Sequence, residues 1–147
     1  MTDLAPRLKI KLQVYCGEEI AMGPGKADLL AAIDRTGSIS AAARDLGMSY
    51  RRAWLLVDAM NRCWSEPLVA TVSGGATTSG SALTPLGRDV LAGYRALQAT
   101  AAAATASAWG PLAKHLLPSP RARTSVTSGD AERDFRPRDK PDQRQRN

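Results

Sequence analysis

The chain has 147 residues, of which 44% are hydrophobic and 23% charged, so one small globular domain is expected and two of ordinary size are excluded. Aromatic residues make up only 5%, which requires a mainly aliphatic core and favours a helical domain. Twenty basic against fourteen acidic residues give a net charge of +6, a balance that suits a polyanionic partner such as nucleic acid.

The cysteine and histidine content excludes several classes of site. Cys16 and Cys63 are far apart in the sequence and form no CxxC motif, so neither a disulfide framework nor a zinc site is indicated. His115 is the single histidine, and we expect it at the surface near a helix end. Without His pairs or Cys/His sets, we expect no enzyme, no cofactor and no metal.

Neither a signal peptide nor a membrane span is expected from the sequence. The first twenty residues contain no apolar run of signal-peptide length, and no later stretch approaches the roughly twenty apolar residues of a membrane span. We therefore expect a cytoplasmic protein.

The first elements in chain order are a predicted hairpin and a helix. Apolar and polar residues alternate over residues 8–15, which predicts a half-buried strand, and residues 18–22 are predicted to return as a second one. The breaker Gly23-Pro24-Gly25 follows. From Lys26 the apolar spacing becomes helical and continues to Gly37, where the first helix is predicted to end.

The next segment predicts two helices joined by a tight turn. Ser38 or Ser40 can cap a short helix over residues 41–46, and Gly47 permits a left-handed turn. Ser49 is placed to cap a longer helix from residue 50 to about 63. The core shared by the two helices is expected to contain Leu46, Met48, Ala53, Trp54 and Val57. We expect Trp54 to be core rather than a wedge between DNA bases.

The remaining elements are a second hairpin and a long helix. Residues 68–72 are predicted to pair with residues 82–83 across a flexible loop, residues 73–81. Thr84 caps a helix predicted from Pro85 to about residue 108, before Gly110-Pro111. Its small residues permit close approach of another helix, or the helix extends into solvent.

The C-terminal part divides at residue 117. The apolar segment 112–117 is expected to pack back onto the domain, which then spans residues 1–117. Residues 118–147 contain eight basic and five acidic residues with little that is apolar, so a disordered tail is predicted there.

This element order predicts a mainly α fold with small β-hairpins, a winged helix-turn-helix with a long C-terminal helix suited to dimerisation. The second helix of the motif opens with Ser49, Tyr50, Arg51 and Arg52, where a recognition helix points into the major groove. Arginine can bind guanine O6 and N7 or hold a phosphate, and an ordinary solvated helix face is the alternative for Arg51 and Arg52. The candidate DNA contacts are Ser40, Arg44, Ser49, Tyr50, Arg51, Arg52, Ser73, Thr77 and Thr78. Arg35 and Arg62 are weaker candidates for phosphate contacts.

Several motifs together resemble one protein family. They are GPGKADLL at residues 23–30, TGSISAA at 36–42, MSYRRAW at 48–54, MN at 60–61 and LTPLG at 83–87. These segments resemble the N-terminal DNA-binding domain of the bacterial molybdate-responsive ModE-type regulators, which are related to LysR-type regulators. The resemblance implies a homodimer on a palindromic operator that regulates molybdate uptake or molybdoenzyme genes.

The chain departs from that family after the long helix. The resemblance implies C-terminal oxyanion-binding domains at this point, whereas the sequence has the Arg/Pro-rich tail. We therefore expect no molybdate-sensing domain of its own. Three alternatives stay open: a stand-alone DNA-binding subunit, control by the abundance of the protein, or a separate sensor protein as a partner.

Two other functions remain open from the residues alone. A protein-interaction module of the same fold would depend on the long helix and tolerate the loss of Arg51 and Arg52. A sequence-indifferent DNA-coating protein would take its affinity from the tail, although the acidic residues there repel phosphates.

Overall fold

A computed structural model describes residues 5–74 and 78–124. The chain divides into two units, and residues 7–116 form the unit that contains the helices and strands reported below. In the other unit, the described residues 5–6 and 117–124 contain neither helix nor strand. Most of the predicted disordered tail, residues 125–147, lies outside the described residues.

The unit of residues 7–116 is mainly helical and carries two antiparallel hairpins, β1 with β2 and β3 with β4. The elements in chain order are β1 Val14–Cys16, β2 Glu19–Met22, α1 Pro24–Thr36, α2 Ile39–Asp45, α3 Tyr50–Cys63, β3 Val69–Gly74, β4 Thr78–Leu83 and α4 Pro85–Ala113. This order confirms the predicted winged helix-turn-helix, in which α2 and α3 are the motif and β3 and β4 the wing.

The predicted N-terminal strand is shorter than expected. Only Val14–Cys16 is a strand, because β2 offers four residues and the chain turns into α1 immediately after Met22, the partner of Val14. The preceding residues therefore have no strand to pair with. These residues still alternate in burial although they form no strand, since Ile10 and Leu12 are half-buried and their neighbours are exposed.

The predicted caps define the first three helices. Pro24 occupies the first turn of α1, so the expected breaker starts the helix two residues before the predicted Lys26. Gly37 ends α1 with φ 73°, and its N–H donates to the carbonyl of Ile33 at 2.8 Å. Of the two cap candidates for α2, Ser38 accepts from the N–H of Ala41 at 3.0 Å.

The wing contains more strand than the sequence predicted. Residues 73–81 were expected to form a loop, but pairing continues to Ser73 with Ser79 and Gly74 with Thr78. The N–H of Ser81 also donates to the carbonyl of Gly37 at 2.9 Å, which ties β4 to the end of α1. Strands pair through backbone hydrogen bonds, which Gly, Ser, Thr and Ala can all form. The small residues of this segment therefore did not prevent strand pairing.

Helix α4 passes through the predicted stop and ends at Ala113 rather than near residue 108. Pro111 removes the hydrogen bond to the carbonyl of Ser107, and Ser107 is exposed, so water can replace that bond. The segment expected to pack back does not do so within this unit, since Leu112 and Leu116 are 63% and 50% exposed. His115 is exposed just beyond the helix end, as predicted.

The core is aliphatic, as the composition predicted. Its largest fully buried side chains are Met22, Leu29, Leu30, Ile33, Met60 and Leu68. Two residues expected in the core are not buried, since Trp54 is 50% exposed and Leu46 36% exposed. Trp54 follows the fully buried Ala53 and lies about 100° further around α3. Because Ala53 and Val57 face the core, Trp54 points toward solvent.

Candidate nucleic-acid interface

Helices α2 and α3 are joined closely because small residues lie between them. Ala42, Ala43 and Ala53 are buried at 0%, 2% and 0% exposure, so no long side chain separates the two helices. Gly47 adopts φ 67° in the connection, and the N–H of Met48 donates to the carbonyl of Ala43 at 3.0 Å. These contacts fix the direction in which α3 leaves the turn.

The N-terminus of α3 is capped and open to solvent. The Ser49 hydroxyl accepts from the N–H of Arg52 at 3.1 Å and retains its own hydrogen for donation to a phosphate. Tyr50 is 57% exposed, and Arg51 and Arg52 are exposed. The four residues predicted to contact DNA from this helix therefore lie together on its accessible first turn.

Helix α2 contributes a second pair of exposed candidates. Ser40 and Arg44 are four residues apart, which places them on the same face of the helix. Ser40 does not cap the helix, since Ser38 does, so its hydroxyl is available to a ligand.

The arginines differ in whether a carboxylate already neutralises them. Within the described parts of the chain, Arg44, Arg51 and Arg52 form no salt bridge. Arg35, by contrast, is paired with Asp45 at the end of α2. The helix-turn-helix therefore presents three arginines whose positive charge no described carboxylate neutralises.

Arg62 lies at the other end of α3 and is occupied by acidic partners. Its Nε lies 2.9 Å from Asp58 Oδ2 and its Nη2 lies 3.0 Å from Glu19 Oε1. The hydrogen bond to Asp58, followed by that to Glu19, raises the pKa of Arg62. Two carboxylates therefore already neutralise the Arg62 guanidinium.

Wing residues can be placed only in part. Ser73 is exposed on β3. Thr78 begins β4, but its side chain lies outside the described atoms, and Thr77 lies outside the described residues.

Asn61, near the end of α3, positions the wing against the recognition helix. This role was not predicted from the sequence. Its Oδ1 accepts from the N–H groups of Leu68 and Val69 at 2.9 and 3.1 Å. Its Nδ2 donates to the carbonyl of Val69 at 3.1 Å. The side chain thus joins α3 to the start of β3 by three hydrogen bonds. The sequence did not predict these bonds, because their partners lie beyond the end of the helix.

Two further features were missed by sequence reasoning. Trp54 and Leu55 are 50% and 52% exposed beside the arginines, whereas large apolar residues on a helix are usually assigned to a core.

Cys63 is a neighbour of Cys16 despite their separation in the sequence. Burial raises the pKa of the Cys63 thiol, and the Cys16 side chain adds to that rise.

The described residues contain neither a membrane-spanning helix nor a metal-binding cluster. None of their helices is long and apolar enough to cross a membrane. Residues 5–74 and 78–124 also contain no group of three or more His, Cys, Asp or Glu side chains placed to hold a metal ion.

Comparison with known proteins supports the helix-turn-helix assignment. The family model of bacterial regulatory helix-turn-helix proteins of the lysR family matches residues 26–88, from the first turn of α1 into α4. This range contains both helices of the motif and the wing.

Several curated proteins are similar to this chain over 78 to 94 residues. The chain is 50% identical over 78 residues to the molybdenum-pterin-binding protein MopB of Rhodobacter capsulatus. This match covers 53% of the present chain and 29% of MopB. It is 45% identical over 94 residues to the molybdenum transport protein ModE of Azotobacter vinelandii, covering 64% and 35%. The DNA-binding transcriptional dual regulator ModE of Escherichia coli K12 is 34% identical over 87 residues, covering 59% and 32%.

The matches cover about a third of the length of these relatives. They fall in the N-terminal region of the relatives. Over residues 26–88 the chain therefore carries a bacterial regulatory helix-turn-helix domain of the lysR family, and it is a homologue of the ModE and Mop proteins in that region.

Proposed function

We propose that the protein is a sequence-specific DNA-binding transcriptional regulator of the ModE type that controls molybdenum transport or molybdoenzyme genes. The observation that carries the proposal is the accessible first turn of α3, where Arg51 and Arg52 have no acidic partner among the described residues. The names of the relatives, a molybdenum transport protein and a DNA-binding regulator among them, support the choice of genes.

The proposed mechanism places α3 in the major groove of duplex DNA. One of Arg51 and Arg52 donates two hydrogen bonds to guanine O6 and N7, and the other holds a phosphate. Ser49 and Tyr50 act from the same turn. Such a protein works by binding rather than by catalysis and acts in the cytoplasm, where the chromosome is.

Backbone contacts on either side of α3 would fix its register on the duplex. Ser40 and Arg44 contact phosphates from α2 in this proposal. Ser73, Thr77 and Thr78 contact phosphates from the wing, which contains no lysine or arginine over residues 73–81 and so uses hydroxyl and N–H donors.

A second copy of the chain completes the proposed regulator. Helix α4 has 29 residues, and its later half presents small residues beside a groove. The groove is lined by Leu8, Ile10, Gln98, Ala102, Thr105, Ala106 and Trp109. We propose that α4 of a second copy packs here, which gives a symmetric dimer and hence a palindromic operator.

The direct test is fluorescence anisotropy with an operator selected from genomic fragments, compared with a scrambled duplex at near-physiological salt. We expect the wild type to prefer the operator and the double variant Arg51→Ala/Arg52→Ala to lose the preference. Removing a base-reading arginine costs about 1 to 3 kcal/mol selectively for the operator.

The matched control is Arg121→Ala/Arg123→Ala, which removes the same charge from exposed residues outside the motif. It should retain the preference. An equal loss in both double variants would favour the DNA-coating function, and unchanged binding in the α3 variant would favour the protein-interaction module.

A further inference from the structure

The N-terminal half of α3 carries a mixed surface of one arginine and three large side chains. Tyr50, Arg51, Trp54 and Leu55 line a shallow open depression. Tyr50, Trp54 and Leu55 are 57%, 50% and 52% exposed. We call these four residues the α3 patch.

Helical spacing explains why the α3 patch is continuous. Tyr50 and Trp54 are four residues apart, as are Arg51 and Leu55, so the four side chains form two adjacent rows. Ala53 and Val57 are buried on the neighbouring face of α3, whereas all four patch residues are exposed.

We propose that Trp54 and Leu55 are specificity-determining residues that contact thymine methyl groups in the major groove, next to Arg51. This inference rests on the proposed function. The C5 methyl of thymine is the apolar group that the major groove exposes, and a nonpolar side chain distinguishes it from cytosine, which has none.

Charge favours DNA over a protein as the occupant of the α3 patch. Arg51 lies within the patch and Arg52 beside it, and neither forms a salt bridge with the described residues. Duplex DNA supplies anionic phosphates and apolar methyl groups a few ångströms apart, which matches both components of the surface. The exposed leucines of α4 have no such arginine pair next to them in the sequence.

The test replaces single thymines of the selected operator by deoxyuridine, which removes only the methyl group. At one or two positions in each half-site we expect wild-type affinity to fall about fourfold, the effect of burying one methyl group. The double variant Trp54→Ala/Leu55→Ala should bind the thymine operator about tenfold more weakly and show no further loss with deoxyuridine.

Two controls separate specificity from folding. Leu112→Ala removes a leucine that is 63% exposed on α4 and should retain the deoxyuridine effect. Circular dichroism melting of the double variant should match the wild type, because both side chains are half-exposed.

Three results overturn the inference in distinguishable ways. Wild-type affinity unchanged by deoxyuridine at every position excludes methyl contacts while leaving the proposed function intact. A double variant that binds like wild type assigns the patch to another partner, such as a protein. A wild type with no operator preference overturns the proposed function and this inference with it.

Discussion

Gly87 lies in the first turn of α4 against the backbone of Leu68. A Cβ atom at this position would overlap the Leu68 carbonyl oxygen, so Gly87→Ala must displace either α4 or the chain that enters β3. We expect a loss of about 1 to 3 kcal/mol in the free energy of unfolding. Urea denaturation followed by circular dichroism measures it.

The control for this substitution lies in the same helix. A Cβ at Gly93 meets nothing within 4 Å, so Gly93→Ala should be neutral or stabilising by up to about 1 kcal/mol. Equal denaturation midpoints for the two variants would contradict the close approach at Gly87.

Tyr94 holds the N-terminal segment to α4 by a single buried hydrogen bond. It is 4% exposed, and its hydroxyl donates to the carbonyl of Leu12 at 2.8 Å. Tyr94→Phe leaves that carbonyl without its donor, and we expect a loss of about 1 to 2 kcal/mol near neutral pH.

The same hydroxyl gives this stabilisation a pH dependence. Burial raises the pKa of Tyr94, so its contribution is complete below the usual tyrosine pKa of about 10 and is lost as the pH rises through the raised value. Unfolding free energies of wild type and Tyr94→Phe should therefore converge at high pH. A difference that stays constant from pH 8 to the most alkaline condition would contradict this role.

At the scale of elements, the contact between α3 and β3 depends on Asn61. Asn61→Ala leaves the N–H groups of Leu68 and Val69 without their acceptor, so we expect a loss of about 2 kcal/mol in stability. Operator affinity should also fall, because the wing loses its link to α3. Urea denaturation and anisotropy measure the two effects.

Asn61→Asp is the matched control, since it keeps an acceptor for both N–H groups and replaces the donor to the Val69 carbonyl by a carboxylate oxygen. It should cost less than Asn61→Ala. If both substitutions leave the midpoint of denaturation unchanged, Asn61 does not join the elements as described.

Elements with local signals were predicted well from the sequence. The caps at Ser38 and Ser49 and the left-handed Gly37 and Gly47 define α1 to α3, and each of these signals acts within a few residues. The prediction of a long strand over residues 8–15 was wrong, because a strand needs a partner of equal length and β2 does not supply one.

The same distinction applies to the candidate interface. Residues 49–52 were correctly placed on the first turn of the second helix, because the cap and the turn determine that position. The exposure of Trp54 could not be predicted, since it depends on which face of α3 the rest of the domain covers. The contacts of Asn61 with Leu68 and Val69 depend on how the chain returns after α3.

At the scale of the whole molecule, the proposed dimer makes a prediction about α4. Ala102 lines the groove assigned to the second copy, so Ala102→Glu would place a charge in an apolar interface. We expect the wild type to have twice the chain mass of 15.6 kDa in sedimentation equilibrium and the variant to shift toward the single mass.

Ala104→Glu introduces the same charge about 200° further around the helix, at an exposed residue outside the groove lining. It should remain dimeric. A wild type with the mass of one chain, or a variant at Ala102 with the wild-type mass, would contradict the proposed interface.

The central claim is that α3 binds bases in the major groove through its first turn. Methylation interference tests this most directly, because a methyl group on guanine N7 blocks the acceptor that arginine uses there. We expect methylation of one guanine in each half-site of the selected operator to abolish wild-type binding. We also expect either Arg51→Ala or Arg52→Ala, whichever removes the base contact, to make the residual binding insensitive to that methylation. Wild-type binding that tolerates N7 methylation at every guanine would contradict base readout by these arginines.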